Sequence, residues 1–473
     1  MPPSSSTPEP GGLFTAVLDH GPVHDATTDR AWLQAMLDFE AALAGASADA
    51  GLISADDAAA IAAACVAGDF AAATIGANAT DTGNPVVPLV RALTAAVGDP
   101  AAAHVHRGAT SQDVLDTAAM LIAARALAPL VDDLRCAADA AAGLAREHRD
   151  APAAGRTLLQ HAVPVTFGLK AAGWMTALDE AVARLDEVAR HRLAVQLGGA
   201  AGTLAALGDR GIEVVGHLAH RLGLVVPVLP WHTDRTRVAE LAGALGSAAG
   251  VCAKIARDIV LLAQTEVGEV SEAAPGRGGS STMPHKQNPV AAIAAAGSAA
   301  RAPGLVATLL AAMTHEHERA AGAWHAEWRP YTDLLRAAGS AAAWLRDSLE
   351  HLRVDADRMR ANLDLTAGQA QTGHVVSALA DRVGRLRAHD LVTQASRRAR
   401  DQGRPLAEVL AEDPAIADHS DQDDLRRLLD PAGATGSAGR LVDGALSHHQ
   451  AWVDRRPPAA PHNDDPPLAG SQG

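Results

Sequence analysis

Between Arg237 and Val270 the residues Leu241, Leu245, Ala248, Cys252, Ile255, Ile259 and Leu262 recur at alternating steps of four and three. That spacing makes one stripe of a closely packed α-helix, and a pleated strand cannot present it on a single face. The opposite face carries Lys254, Arg257 and Asp258. Alanine-rich stretches with leucine at helical spacing recur along the chain. Two more long helices are predicted, from Val114 to about Glu147 and between Val165 and Leu197. Strand signals are weak, and Leu222 to Leu229 is the best local candidate. The pattern predicts an all-α protein built on a long helical bundle. The seam fits packing between subunits and packing within one chain equally.

At 473 residues the chain has room for two or three domains. The expected division is an N-terminal helical domain over 1–105, a central bundle over 106–355 that includes a loop at 276–289, and a C-terminal helical domain over 356–456. The tail, 457–473, is proline- and glycine-rich and is expected to be disordered. Hydrophobic residues form 48% of the chain, mostly alanine, and no apolar run reads as a membrane span. Met1 to Pro10 lacks the charged region and apolar core of a signal peptide. Cys65, Cys136 and Cys252 are odd in number and widely spaced, which reads as reduced thiols and a cytoplasmic location. A net charge of −15 argues against nucleic-acid or anionic-membrane partners. An anionic substrate would then need local devices, such as helix N-termini and a few placed cations.

The densest chemistry lies in the segment from Gly278 to Pro289, which reads GGSSTMPHKQNP. Glycine opens backbone shapes closed to other residues, and Pro284 and Pro289 keep the loop out of the following helix. Lysine occurs only at Lys170, Lys254 and Lys286, so a lysine kept here suggests a point charge aimed at an anion. The loop resembles the signature of the fumarase/aspartase superfamily, GSSxMPxKxNP, at every fixed position from Gly279 to Pro289. That resemblance implies β-elimination, or its reverse, next to a substrate carboxylate, with no cofactor and no metal. It implies that Ser280 is the catalytic base and that Lys286 and Asn288 hold a substrate carboxylate, with Ser281 and Met283 beside them. It further implies a three-domain fold and a homotetramer whose active sites are shared between subunits.

Two other regions extend the resemblance. His106-Arg107-Gly108-Ala109-Thr110-Ser111-Gln112-Asp113 precedes a helix, where free N–H groups and hydroxyls bind anions. A lone Thr-Ser pair would read as an ordinary N-cap. The family's second region places Thr110, Ser111 and Gln112 against the substrate, and a histidine at the His106 position is shared with its adenylosuccinate lyase branch. Whether His106 is catalytic or structural stays open at this point. Gly155 to Gly168 resembles the third region, GRTHxQ, which makes Thr157 and Gln160 substrate-facing.

Leu158 departs from that pattern, because many members carry a histidine there. Amines and hydroxide leave poorly without a proton, whereas a carboxylate leaves as a stable anion. The departure therefore fits a lactonisation. The runs 106–117, 164–174 and 317–328 resemble the carboxymuconate cycloisomerase branch of the superfamily, over about Trp32 to Trp452. A small tricarboxylate substrate follows from that resemblance. A fumarate-releasing amine lyase and a non-enzymatic descendant stay open. His315-Glu316-His317-Glu318 lacks the spacing of a zinc motif, and the resemblance makes it polar lining. Gly198 to Gly202 lacks the strand context of a dinucleotide site, and Trp324 and Trp328 read as helix core.

Overall fold

The computed structural model describes residues 12–274, 276–279, 282–283, 285–418 and 420–455. In chain order, the elements that position the site are α1 (Asp29–Asp49), α2 (Ser111–Glu147), β1 (Pro152–Thr157), β2 (Gln160–Thr166), α3 (Phe167–His191), α4 (Thr236–Leu262), β3 (Val270–Glu272), α5 (Val290–Ala299), α6 (Ala302–Ala311), α7 (Ala323–Glu350) and β4 (Leu352–Val354). The chain is predominantly helical, as its periodicity predicts. It divides into two compact units. The first runs to Ala141 and resumes over Ala177–Arg358; the second joins Ala142–Thr176 to the residues from Met359 onward.

In the first unit α4 packs on α5, α6 and α7. All seven seam residues of α4, from Leu241 to Leu262, are buried by these neighbours. Removing such side chains from water stabilises the fold by roughly 1.5–3 kcal/mol each for the larger ones. The seam is therefore used inside the chain. Helix α4 ends at Leu262, short of the expected Val270, because the chain turns at Gly268 with φ +63, where the N–H of Gly268 returns to the carbonyl of Gln264. Val270 instead starts β3, which pairs with β4 in antiparallel register. Helix α1 starts where the Thr28 hydroxyl accepts the N–H of Ala31 at 3.2 Å. It buries Leu33, Met36, Leu37, Phe39 and Leu43.

The second unit holds an antiparallel β1–β2 hairpin and a helical core of Val375, Leu379, Val392, Leu406, Val409, Leu410, Ile416 and Leu425. Arg149 forks onto both carboxylate oxygens of Asp443, each at 2.7 Å. The hairpin is the one sizeable β-feature among the described residues, and sequence reading missed it. The stretch favoured as a strand, Leu222 to Leu229, contributes only a bridge between Val225 and Ala194.

Two helical stretches, Ser111–Glu147 and Val290–Ala311, are long and apolar enough to cross a membrane by composition, contrary to expectation. Their alanines raise hydropathy without adding bulk. The apolar window of the first is 72% buried inside the chain, as befits a core helix, whereas that of the second is 39% buried. The second stretch is interrupted by Arg301, which pairs with Asp19 at 3.5 Å.

Candidate active site

Asp113 organises the entry to α2. Its Oδ2 accepts the N–H of Thr110 and of Gly199, each at 2.9 Å. Its Oδ1 accepts the N–H of Gly198 at 3.0 Å and lies 2.7 Å from His232 Nε2. The bond to Thr110 is one half of a capping box, in which a residue of the first turn reaches back to the N-cap. The first N–H groups of α2 then point out of the helix end, the arrangement that binds anions. Thr110 and Ser111 are partly exposed there, and their hydroxyls have no partner among the described residues. Gly108, with φ +76, permits the approach, since a Cβ on it would meet Leu207 Cδ2 at 2.5 Å.

Gln112 does not join them. It is fully buried, and its Nε2 donates to the carbonyl of His232 at 2.7 Å and to Asp116 at 3.1 Å. Its Oε1 accepts from Arg319 at 3.1 Å. Within one chain Gln112 is thus held by the scaffold. Successive helical residues point about 100° apart, so the residue after an outward Ser111 turns inward.

His106 lies on the same segment with φ 58, and its Nδ1 stands 2.7 Å from Oε1 of Glu40 on α1. Burial alone would lower the imidazole pKa. The hydrogen bond and charge of Glu40, with Asp113 nearby, outweigh burial and raise it.

Ser280 and Ser281 lie outside the described residues, and the flanks of their loop are fixed at three places. Arg277 forks onto Asp347 and covers the Trp344 ring at 5.7 Å. Glu272 accepts the N–H groups of Ala291 and Ala292 at 3.0 and 2.9 Å, and the Ser348 hydroxyl at 2.6 Å, which caps α5. The backbone N–H and the side-chain Nδ2 of Asn288 both donate to the Gly278 carbonyl, at 2.9 and 3.0 Å. A Cβ on Gly278, at φ +81, would meet the Asn288 carbonyl at 2.6 Å, so only glycine fits. Asn288 therefore closes the base of the loop, and its second amide proton has no partner among the described residues. Lys286 is exposed and has no acidic partner among the described residues, and Met283 is 41% exposed.

Thr157 and Gln160 pair across the end of the β1–β2 hairpin in the second unit, and both are exposed. The turn between them is Leu158-Leu159, with φ 51 and 64. Two positive φ values make a type I′ turn, which Asn-Gly fills without strain and leucine does not. Leu158 is 96% exposed and Leu159 is 72% exposed. Within one chain nothing dries Leu158.

Behind Asp113 lies a buried charge network that sequence reading did not assemble. The Arg235 guanidinium meets Asp116 at 2.8 and 3.1 Å and Glu327 at 2.6 and 3.0 Å. Trp324 Nε1 donates to Asp116 at 3.1 Å, and His315 Nε2 stands 3.2 Å from Glu327. His315 is thus buried in this network, and Arg319 ties its loop to the Ala200 carbonyl at 2.9 Å. Trp324 and Trp328 meet edge to face at 5.0 Å. A cavity of about 320 Å³ beside them is walled by Trp32, Met36, Ile75, Trp324, Trp328 and Tyr331. None of Thr110, Ser111, Thr157, Gln160, Lys286 and Asn288 lines it. Among the described residues no group of three His, Cys, Asp or Glu side chains could hold a metal ion.

Residues 19–304 match the family model described as Lyase, and residues 368–445 match the adenylosuccinate lyase C-terminus. The chain belongs to the fumarase/aspartase lyase superfamily. Among its curated relatives, the 3-carboxy-cis,cis-muconate cycloisomerase of Bradyrhizobium diazoefficiens is 48% identical over 92% of this chain and 97% of its own. The nitrosuccinate lyase of Streptomyces davaonensis is 46% identical over 94% and 96%. The solved 3-carboxy-cis,cis-muconate lactonizing enzyme from Pseudomonas putida is 45% identical, with a TM-score of 0.89 over 93% of this chain and 99% of that one. The hairpin, Asp113 and the clamped loop are therefore parts of a lyase of this superfamily, and the C-terminal match falls within the second unit.

Proposed function

We propose that this lyase is a 3-carboxy-cis,cis-muconate cycloisomerase, interconverting that tricarboxylate with 4-carboxymuconolactone without a cofactor. The observation that carries this reading is near-full-length identity of 46–48% to three cycloisomerases. In the forward step a substrate carboxylate oxygen adds to an alkene carbon, and charge builds on the neighbouring carboxylate as an enediolate-like species. Fixed donors stabilise such charge more than water does. Thr110, Ser111 and Lys286 supply them, with the spare Asn288 proton. Ser280 delivers a proton to the adjacent carbon and removes it in reverse. The place of the reaction is the protocatechuate branch of aromatic catabolism, in the cytoplasm.

One relative favours a second reading. β-Elimination from nitrosuccinate gives fumarate and nitrite. Nitrite, like carboxylate, leaves as a stable anion and needs no acid. Leu158 therefore argues against an amine or hydroxide leaving group, and it does not separate lactonisation from nitrite release. An absorbance assay on the purified protein decides between them. Loss of the conjugated muconate chromophore is expected. Fumarate and nitrite appearing from nitrosuccinate, with muconate untouched, would replace the first reading by the second, and fumarate from an amine-substituted succinate would overturn both.

The working unit is a homotetramer with shared sites. Thr157 and Gln160 sit at a hairpin tip that presents two leucines to solvent, and Ile293 and Leu310 on α5 and α6 are about half exposed. Apolar surface of this kind marks interfaces. Thr157→Ala and Ser280→Ala, each inactive alone, are expected to regain activity when denatured and refolded together. Hybrids confirmed by mass that stay as inactive as their parents would show that no site is shared.

A further inference from the structure

Glu40 belongs to no signature region, yet it reaches the one residue whose role sequence left open. It lies on α1, 66 positions before His106, and is 1% exposed. One carboxylate oxygen stands 2.7 Å from His106 Nδ1, and the other, Oε2, is buried with no partner. A buried carboxylate with a single partner is costly unless that partner is a cation. The ring keeps 20% of its side-chain surface exposed, and its Nε2 has no partner among the described residues. His106 shares its short segment with Thr110 and Ser111, the proposed anion-binding hydroxyls.

We propose that Glu40 is a positioning residue for the reaction. It holds His106 by Nδ1–H, fixes the ring on its left-handed backbone, and keeps Nε2 protonated as a charged donor to a substrate carboxylate. This rests on the reading that His106 belongs to the reaction site. The charged groups facing the ring are Glu40 from α1 and Asp113 from α2, both acidic. Arg107 next door turns away to His104 at 3.4 Å. The pair raises the imidazole pKa, so the charged form persists to higher pH and is lost as pH rises through the raised value.

The test is the pH profile of kcat/KM for muconate loss in Glu40→Gln. Gln retains an acceptor for Nδ1–H and removes the charge. The alkaline limb is expected to move down by about one unit, an about tenfold loss of kcat/KM above it, with recovery toward wild-type rates at lower pH. Glu40→Asp, which keeps the charge, should place the limb between the two and serves alone if Glu40→Gln does not fold. A folded Glu40→Gln enzyme with an unmoved limb, or with a loss uniform across pH, overturns the proposal. His106→Gln separates the two failures. If it is inactive while Glu40→Gln leaves the limb unmoved, only the role of Glu40 falls. If His106→Gln matches wild type, the reading of His106 falls with it.

Discussion

Ser280→Ala is expected to fold and assemble like wild type while losing turnover by a factor on the order of 10²–10⁴, the range for removing a positioned proton carrier. The expectation rests on the loop signature, because Ser280 itself lies outside the described residues. The structure supplies the reason that folding should survive. The loop is held from its two ends, by Arg277 on Asp347, by Glu272 on the start of α5, and by Asn288 on Gly278. None of these clamps uses Ser280. A melting curve and a mass measurement should therefore match wild type while kcat collapses. A folded variant with wild-type kcat would remove Ser280 from the chemistry and leave the family loop as a scaffold.

The helices were legible because alanine and leucine at three- and four-residue spacing leave few alternatives, and α2 begins within three residues of its expected start. Their ends were less so. Val270 continues the apolar pattern, but the turn at Gly268 stops α4 eight residues earlier. The hairpin was illegible for a different reason. Its strands contain alanine, glycine and proline, and its turn is Leu-Leu, whereas short hairpins are recognised from Asn-Gly or Asp-Gly. Leucine in two left-handed positions is a strain that an isolated turn would relieve, and strain of this kind concentrates at functional sites. The position singled out chemically, Leu158, is thus also singled out conformationally.

The candidate hydroxyls and lysine stand out in the sequence because they sit in contiguous motifs. The contacts of Asp113, His232 and Glu40 do not, since they join segments more than sixty residues apart. Glu40 did leave a trace. It stands between Phe39 and Leu43 on an otherwise apolar stripe of α1, where a lone carboxylate needs a buried partner. Gln112 is buried beside an outward Ser111 because the helix turns adjacent residues to different faces.

Arg235→Met is expected to destabilise the fold by roughly 3–5 kcal/mol, the cost of leaving buried carboxylates without their cation. Arg235 is 3% exposed, and Asp116 and Glu327 on either side of it are buried as well. The sign of the pH dependence should also reverse. In wild type, burial pushes the Glu327 carboxyl up, but the His315 hydrogen bond and the Arg235 charge outweigh it and hold the carboxyl below the usual glutamate range. A lowered folded pKa gives stability that is present above the unfolded value and lost as pH falls through the folded one. Without Arg235, two carboxylates share a dry site with only His315, Trp324 and the Gln112 amide near them, and the folded pKa of Glu327 rises above its unfolded value. Stability is then full below the unfolded value and is lost as pH rises. Urea denaturation should find the variant more stable at about pH 5 than at about pH 8, and wild type should show no such decline. Adding Asp116→Asn and Glu327→Gln to the variant should flatten that dependence and restore part of the loss, because the stranded charges are then gone. If Arg235→Met loses under about 1 kcal/mol at both pH values, the network is a solvated ion pair and not a buried clamp.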